Sequence, residues 1–426
     1  VGRGTTVAIG TGALLAAGLA GAVAFALHDR AWRHLEQRLD LELAQERARM
    51  PLRRPALRDA RAGGELYAAI DAALAELAAP PPASASSPPR PRPRAGSFVF
   101  DDDDDGPTEP AGVPESRRPQ LARLRDALRC EEVDVLGAIL AAPASDAARR
   151  RKLRGVEEAR ALLRFACEEA TKAGKNLEAS QIALDAWQLE HDLLRREPAW
   201  NAREEGMGDL VRAASLLHET LPLLASRELE TVARELERLE AGAPCSKDAF
   251  RWRRLAAGVA LRSLHAKACA ASVGPEEGDK TTDLARIDAL LGEGKSKGRP
   301  EVLWPMLNAA LDIGEEAASE PTHRAALERG LNGPDVVGPV GDMVSPLVLS
   351  ELALEAEDVA RMRAQRLVAL VRRWRLENGH FPGSLAEATG GKSRGRDEDP
   401  ADGDPFDLEI TGDDVHVKSR RFETGF

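Results

Sequence analysis

The segment Ala289-Leu-Leu-Gly-Glu-Gly294-Lys295-Ser296 satisfies the permissive phosphate-loop spacing. In that chemistry, backbone N–H groups and a helix start converge on the phosphates of a nucleotide, which requires a buried strand before the loop and a helix after it. Neither is expected here. Asp283 to Leu291 has a charged, helical period, and Lys297, Gly298, Arg299 and Pro300 follow Ser296, so a helix end and a polar loop are the better reading. The eight histidines form no H-E-x-x-H pair, and no G-x-S-x-G elbow marks a serine nucleophile. Cys130, Cys167, Cys245 and Cys269 lack the close pairing of a zinc or redox motif. An even count would allow two disulfides in an oxidising compartment, but the helical, Ala-rich surroundings of Cys130, Cys167 and Cys269 point to small buried thiols. Five consecutive aspartates, Asp101 to Asp105, lack the alternating ligands and distal Glu of a calcium loop and read as a solvated acidic segment. No catalytic or cofactor-binding residue emerges, and an enzyme hidden in the chain, a hydrolase or a nucleotide enzyme, is the lesser alternative.

Composition narrows the classes further. With 43% hydrophobic and 30% charged residues, the 426-residue chain has the apolar material for real cores. A net charge of -11 argues against a general nucleic-acid binder, which needs a clustered excess of Lys and Arg.

The strongest single signal is Val7 to Leu27, 21 residues without a charge, bounded by Arg3 on one side and by His28, Asp29 and Arg30 on the other. At about 1.5 Å per residue such a helix spans a hydrocarbon layer of roughly 30 Å. Residues 1–27 are therefore expected to be a single-pass transmembrane anchor. A cleaved signal peptide is the competing reading, although its apolar core would have about twice the usual length. Small residues at four-residue spacing, such as Ala17 and Gly21, would permit self-association through the membrane helix. Arg30, Arg33 and Arg38 outweigh Arg3, which favours the C-terminal flank as the cytoplasmic side.

Behind the anchor, the expected order is membrane-proximal helices over 28–79, a disordered Pro- and Asp-rich linker over 80–119, and an all-helical domain over 120–330. In the last of these, apolar residues recur at helical spacing, as in Val156, Ala159, Leu163, Ala166 and Ala170, with Gly174 as a stop and Asn176 as the next cap. Long helices with short connections predict an antiparallel bundle or a helical-hairpin array. No strand is expected within it. Trp187, Trp200, Trp252 and Trp304 are read as core rather than as a groove. Residues 346–426 complete the chain with a long helix over Leu347 to Asn378, stopped by Gly379. An S-x-x-E box at Ser384 and Glu387 then starts a short helix, and Asp407 to Lys418 forms a terminal hairpin. The fold class is thus mainly α with a small α+β tail.

The ordered residues Leu370, Trp374, Glu377, Asn378, Gly379, Phe381, Pro382 and Leu385, followed by Asp399-Pro400, Asp402-Gly403 and Asp404-Pro405-Phe406, resemble the C-terminal part of bacterial type II secretion major pseudopilins. They are also similar to the tails of uncharacterised membrane-anchored helical bacterial proteins. The match covers about 60 of the 426 residues, with Trp374 where a Tyr is usual. The resemblance implies a pilin-like tail, a location outside the cytoplasm and a calcium-binding loop whose candidate ligands are Asp399, Asp402 and Asp404. Closely spaced oxygen ligands around a Gly turn suit a hard cation; a solvated Asx turn is the alternative. Pseudopilins join their membrane helix directly to a small head, whereas this chain inserts some 300 residues, and the early membrane Glu of that family has no counterpart in 7–27. The resulting expectation is a non-enzymatic, single-pass helical scaffold of the bacterial envelope. It sits in the inner membrane, has its soluble part in the periplasm, as the resemblance implies against the Arg count of the flanks, and makes contacts with proteins. A pseudopilin-like component of a secretion or fibre apparatus is the alternative.

Overall fold

The computed structural model describes residues 33–34, 36–49, 52–53, 61–79, 113–140, 146–196, 202–270, 341–391, 397–400 and 403–420. The apolar stretch 7–27, the five aspartates, the Gly294 to Ser296 loop, the helices expected over 282–291 and 302–329, and Asp402 lie outside them.

The described chain is mostly helical. Its elements are a helix over 36–49 (α1), β1 (Leu52–Arg53), β2 (Arg61–Glu65), α2 (Leu66–Leu77), α3 (Arg118–Ala127), β3 (Cys130–Val133), α4 (Val135–Leu140), α5 (Asp146–Lys172), α6 (Asn176–Arg196), α7 (Ala202–Thr220), α8 (Ser226–Ala241), α9 (Ser246–Ala270), α10 (Gly341–Asn378), α11 (Leu385–Ala388), β4 (Asp407–Thr411) and β5 (Asp414–Lys418). Among the described residues no helix is long and apolar enough to cross a membrane.

Helices α5 to α8 and α10 share one core, which includes Leu163, Leu184, Trp187, Leu210, Leu236 and Leu367. Short connections make sequential helices antiparallel neighbours. The α5–α6 turn is closed as expected by Gly174 at φ 70°, with Lys175 N–H donating to Ala170 O at 2.9 Å and Gly174 N–H to Thr171 O at 3.0 Å. Asn176 does not cap α6. Its side-chain amide donates instead to Leu223 O, 2.9 Å away in the turn that follows α7, a tertiary bond outcompeting the local one.

A ladder of polar pairs joins α10 to α8. Arg363 donates to Glu240 at 2.9 Å, Arg366 to Glu237 at 3.1 Å, and Arg373 lies 3.8 Å from Glu230. At the end of the ladder Ser226 donates to Glu377 at 2.6 Å. Each step forward on α10 is matched by an equal step back on α8, so the two helices are antiparallel in one register. Helix α10 starts at Gly341, before Pro346. Pro346 sits in the second turn, where it forgoes its own backbone bond, yet the helix runs through it. Gly379, at φ 78°, ends the helix as the Asn378-Gly379 pair implied.

A three-stranded sheet was not expected. Its order is β1-β3-β2, with β1 antiparallel and β2 parallel to β3. Cys130 therefore begins a strand rather than lying in a helix. Four residues are too few to show alternation, and Gly63-Gly64 in β2 reads as a loop, so pairing across distance makes this sheet. Glu65 binds it to the bundle by accepting N–H bonds from Tyr67 (3.0 Å) and Ala68 (2.6 Å) at the start of α2 and from Asp134 (3.1 Å) after β3. Val113 and Arg117 are buried, so packing extends into the last residues of the stretch 80–119.

Helix α2 crosses α5 at Gly155, where a Cβ would stand 2.4 Å from Leu74 O. That is backbone, which cannot swing aside. Gly155→Ala should therefore lower stability by about 1–3 kcal/mol despite alanine's better helix propensity. Denaturant unfolding checks this, and a variant equal to or more stable than the parent would remove the close crossing.

Candidate functional site

Helix α6 runs through the middle of the bundle, and its polar residues are as buried as its leucines. Ser180, Asp185, Gln188, Glu190, His191 and Asp192 are all under 5% exposed. Buried polar groups must find partners, and here they find them on nearly every neighbouring element. Arg125 of α3 donates to Asp185 at 2.6 Å. Arg160 of α5 grips Glu190 with two bonds of 2.8 and 2.6 Å and also meets Asp209 of α7 at 2.7 Å. Arg196 reaches Asp71 of α2 at 2.6 Å. The hydroxyls of Ser180 and Thr220 of α7 are hydrogen-bonded at 2.8 Å.

The group with most chemical potential lies between α6 and α10. His191 Nε2 is 2.8 Å from Asp358 Oδ2, and Trp187 Nε1 donates to Asp358 Oδ1 at 3.2 Å. His191 and Trp187 are fully buried and Asp358 is 1% exposed. Burial pushes the Asp358 carboxyl toward its neutral form. The imidazole and Arg203, with the indole N–H, outweigh that and hold it below the usual carboxylate range. A carboxylate orienting a histidine is two-thirds of a nucleophilic triad, but among the described residues His191 Nδ1 has no hydrogen-bond partner and no nucleophile joins it. For Glu190 the balance goes the other way. Burial raises its pKa, and Arg160 only partly offsets this.

About two turns N-terminal on α10, Glu351 is 2% exposed and accepts from Arg203 of α7 at 2.7 Å and from Arg253 of α9 at 2.9 Å. Arg203 also donates to Pro244 O at 2.8 Å, while Ser246 N–H donates to Glu355 at 2.9 Å. A single carboxylate thus ties α10 to α7 and α9. What this arrangement does is bracing: Asp185, Glu190, Arg196 and Glu351 pair with charges of other helices, while Asp192 pairs with Arg195 of its own.

The loop of candidate calcium ligands is built differently. Asp399 is 2% exposed and accepts from Ser419 Oγ, whereas Asp404 is exposed and lies 3.7 Å from Arg420. Backbone bonds close the turn, Asp399 N–H to Asp404 O at 2.7 Å and Gly403 N–H to Asp399 O at 2.8 Å. Among the described residues no three His, Cys, Asp or Glu groups come together to hold a metal. Asp402 is outside them. The two described aspartates have protein partners.

Cys130 and Cys167 are buried free thiols and Cys245 is a half-buried one. Burial pushes Cys167 up to about 11 and Cys245 up to about 12, which leaves both inert as nucleophiles at neutral pH. Trp187 and Trp252 are core residues, as expected. The α6 brace was not anticipated from sequence. The available signal was Gln188-Leu-Glu-His-Asp192, polar residues on every side of a helix that also carries Trp187 and five leucines. Comparison with family models, with curated proteins and with solved structures returns no match.

Proposed function

We propose that this chain is a membrane-anchored helical scaffold of the bacterial envelope. On this reading residues 7–27 are its single transmembrane helix, a Pro- and Asp-rich tether follows, and the soluble body faces the periplasm and presents surfaces to other proteins. The observation that carries the scaffold reading is the α6 brace. Its buried Asp185, Glu190, His191 and Arg196 are committed to neighbouring helices, which suits a body that must hold its shape. The anchor rests on the 21 uncharged residues from Val7 to Leu27. The scaffold is the class; a periplasm-facing, inner-membrane member of it is the particular reading.

The test is alkaline extraction of membranes from cells making the full chain. The unmodified protein should stay with the pellet. A Leu14→Arg/Ala17→Arg variant should move to the supernatant, because each arginine near a helix centre costs roughly 2.5–3.5 kcal/mol of insertion. Release of the unmodified chain, or recovery of a mature form lacking residues 1–30, overturns the anchor. Protease accessibility in intact cells against spheroplasts tests the side.

A second reading, a pseudopilin-like component of a secretion or fibre apparatus, draws on the order of the tail: the Gly379 stop, the capped helix α11, the Asp399–Asp404 turn and the hairpin β4–β5. N-methylation of the mature N-terminus would support it, and an unprocessed apolar start would remove it.

A further inference from the structure

The chain ahead of residues 80–112 is built into the chain that follows them. Leu66, Tyr67, Ile70, Leu74 and Leu77 of α2 are no more than 2% exposed and share one core with Leu124 of α3 and Leu163 of α5. Strands β1 and β2 lie on either side of β3, with Leu52 opposite Val133 and Arg61 opposite Cys130. Charges repeat the link. Asp71 pairs with Arg196 of α6 at 2.6 Å, and Glu76 with Arg123 of α3 at 2.5 Å. The Arg196 guanidinium also stands over the Tyr67 ring, 5.4 Å from its centroid. The two described ends that flank 80–112 meet on this one body: Arg117 donates to Ala79 O at 3.2 Å, and Val113 N–H donates to Glu169 of α5 at 3.0 Å.

Ahead of the strands, α1 is seated on α9. Leu39 and Leu43, 6% and 4% exposed, pack on Leu255 and Val259. Asp40 pairs with Arg262, Glu42 with Arg254 at 3.3 Å, and Glu46 with Arg251. Acids that ascend α1 meet bases that descend α9, so the two helices are antiparallel and α9 runs back toward the end of α1 that faces residues 7–27.

We propose that residues 33–79 are a dock that holds the body close against the bilayer, bridging the tether so that its length does not set the reach of the body. This rests on the reading of residues 7–27 as an anchor. Leu39, seated on α9, is twelve residues on from Leu27, no more than about 40 Å of fully extended chain. A body held through 80–112 alone would have up to about 100 Å of extended Pro-rich chain. The partners within reach of a docked body are proteins at the bilayer surface. Because the dock is held by buried apolar area and ion pairs, it does not depend on the peptide bonds of the tether.

The test is a specific protease site inserted between Ser86 and Ser87 of the full chain and cut in isolated membranes at neutral pH. The body fragment should stay in the pellet. A second site, inserted between Asp29 and Arg30, should on cutting release dock and body together to the supernatant. Release at the first cut, or retention at the second, overturns the proposal. Uncut chain that washes off at alkaline pH overturns the anchor and with it the hold on the bilayer; the dock is then read by gel filtration, where the two fragments of the first cut should elute together and separate elution overturns it. The seat of α1 is read by amide protection over 36–49 in the detergent-solubilised chain. That protection should fall at least roughly tenfold in a Leu39→Asp/Leu43→Asp variant whose α5 and α6 hold theirs. Equal protection in parent and variant overturns the contact with α9.

Discussion

Glu351→Ala lowers the unfolding free energy by about 3–5 kcal/mol, the largest effect expected of any single charge in the protein. The substitution strands two guanidiniums, Arg203 and Arg253, both 3% exposed, whose bonds of 2.7 and 2.9 Å end on that one carboxylate. Pro244 O still accepts from Arg203, but a carbonyl does not neutralise a buried cation. The parent also carries a pH signature. Burial would raise the Glu351 pKa, yet Arg253 and Arg203 overcome it and hold the carboxyl below its ordinary 4.5. The stabilisation is therefore complete above that value and is lost as pH falls through the lower, folded one. Urea titrations of parent and variant from neutral to acid pH check both parts. A variant as stable as the parent at neutral pH, or one with the same acid limb, would show that the clamp is not energetically coupled.

Trp187→Ala should cost about 3–5 kcal/mol as well, by a different route. The indole is fully buried at the centre of the core, and alanine leaves a cavity that five packed helices cannot all move to fill. It also removes the N–H that donates to Asp358 at 3.2 Å. Trp187→Phe separates the two effects. It retains most of the apolar volume and deletes the donor, so its cost should be about 1–3 kcal/mol. Denaturant midpoints for both variants read the difference. A phenylalanine variant as damaged as the alanine one would assign the whole effect to the hydrogen bond and none to packing.

The helices of the bundle were legible because their signals are local. Gly174 and Gly379 stop α5 and α10 where a left-handed residue was needed, and Val415 and Val417 alternate into the core as the hairpin pattern required. Ser384 caps α11 by accepting from Glu387 N–H at 3.2 Å, although Glu387 returns its bond to Gly383 N–H at 2.6 Å rather than to the cap itself. What was illegible depends on distance. The β1-β3-β2 sheet joins segments that are short and polar, and only their partners make them strands. The α6 brace has the same cause: Glu190, His191 and Asp192 look like a solvated helix face until Arg160, Asp358 and the rest of the bundle surround them. A histidine spaced without any ligand pattern carried no signal in one dimension. His191 and Asp358 are 167 residues apart.

The polar ladder between α8 and α10 carries directional information. Its acids, Glu230, Glu237 and Glu240, are separated by seven and then three residues, and its bases, Arg363, Arg366 and Arg373, by three and then seven. Laid head to tail the two intervals coincide; laid side by side in the same direction they cannot, and one contact is always forfeited. The unequal intervals work like the teeth of a key, admitting the returning helix in a single orientation after a detour of a hundred residues.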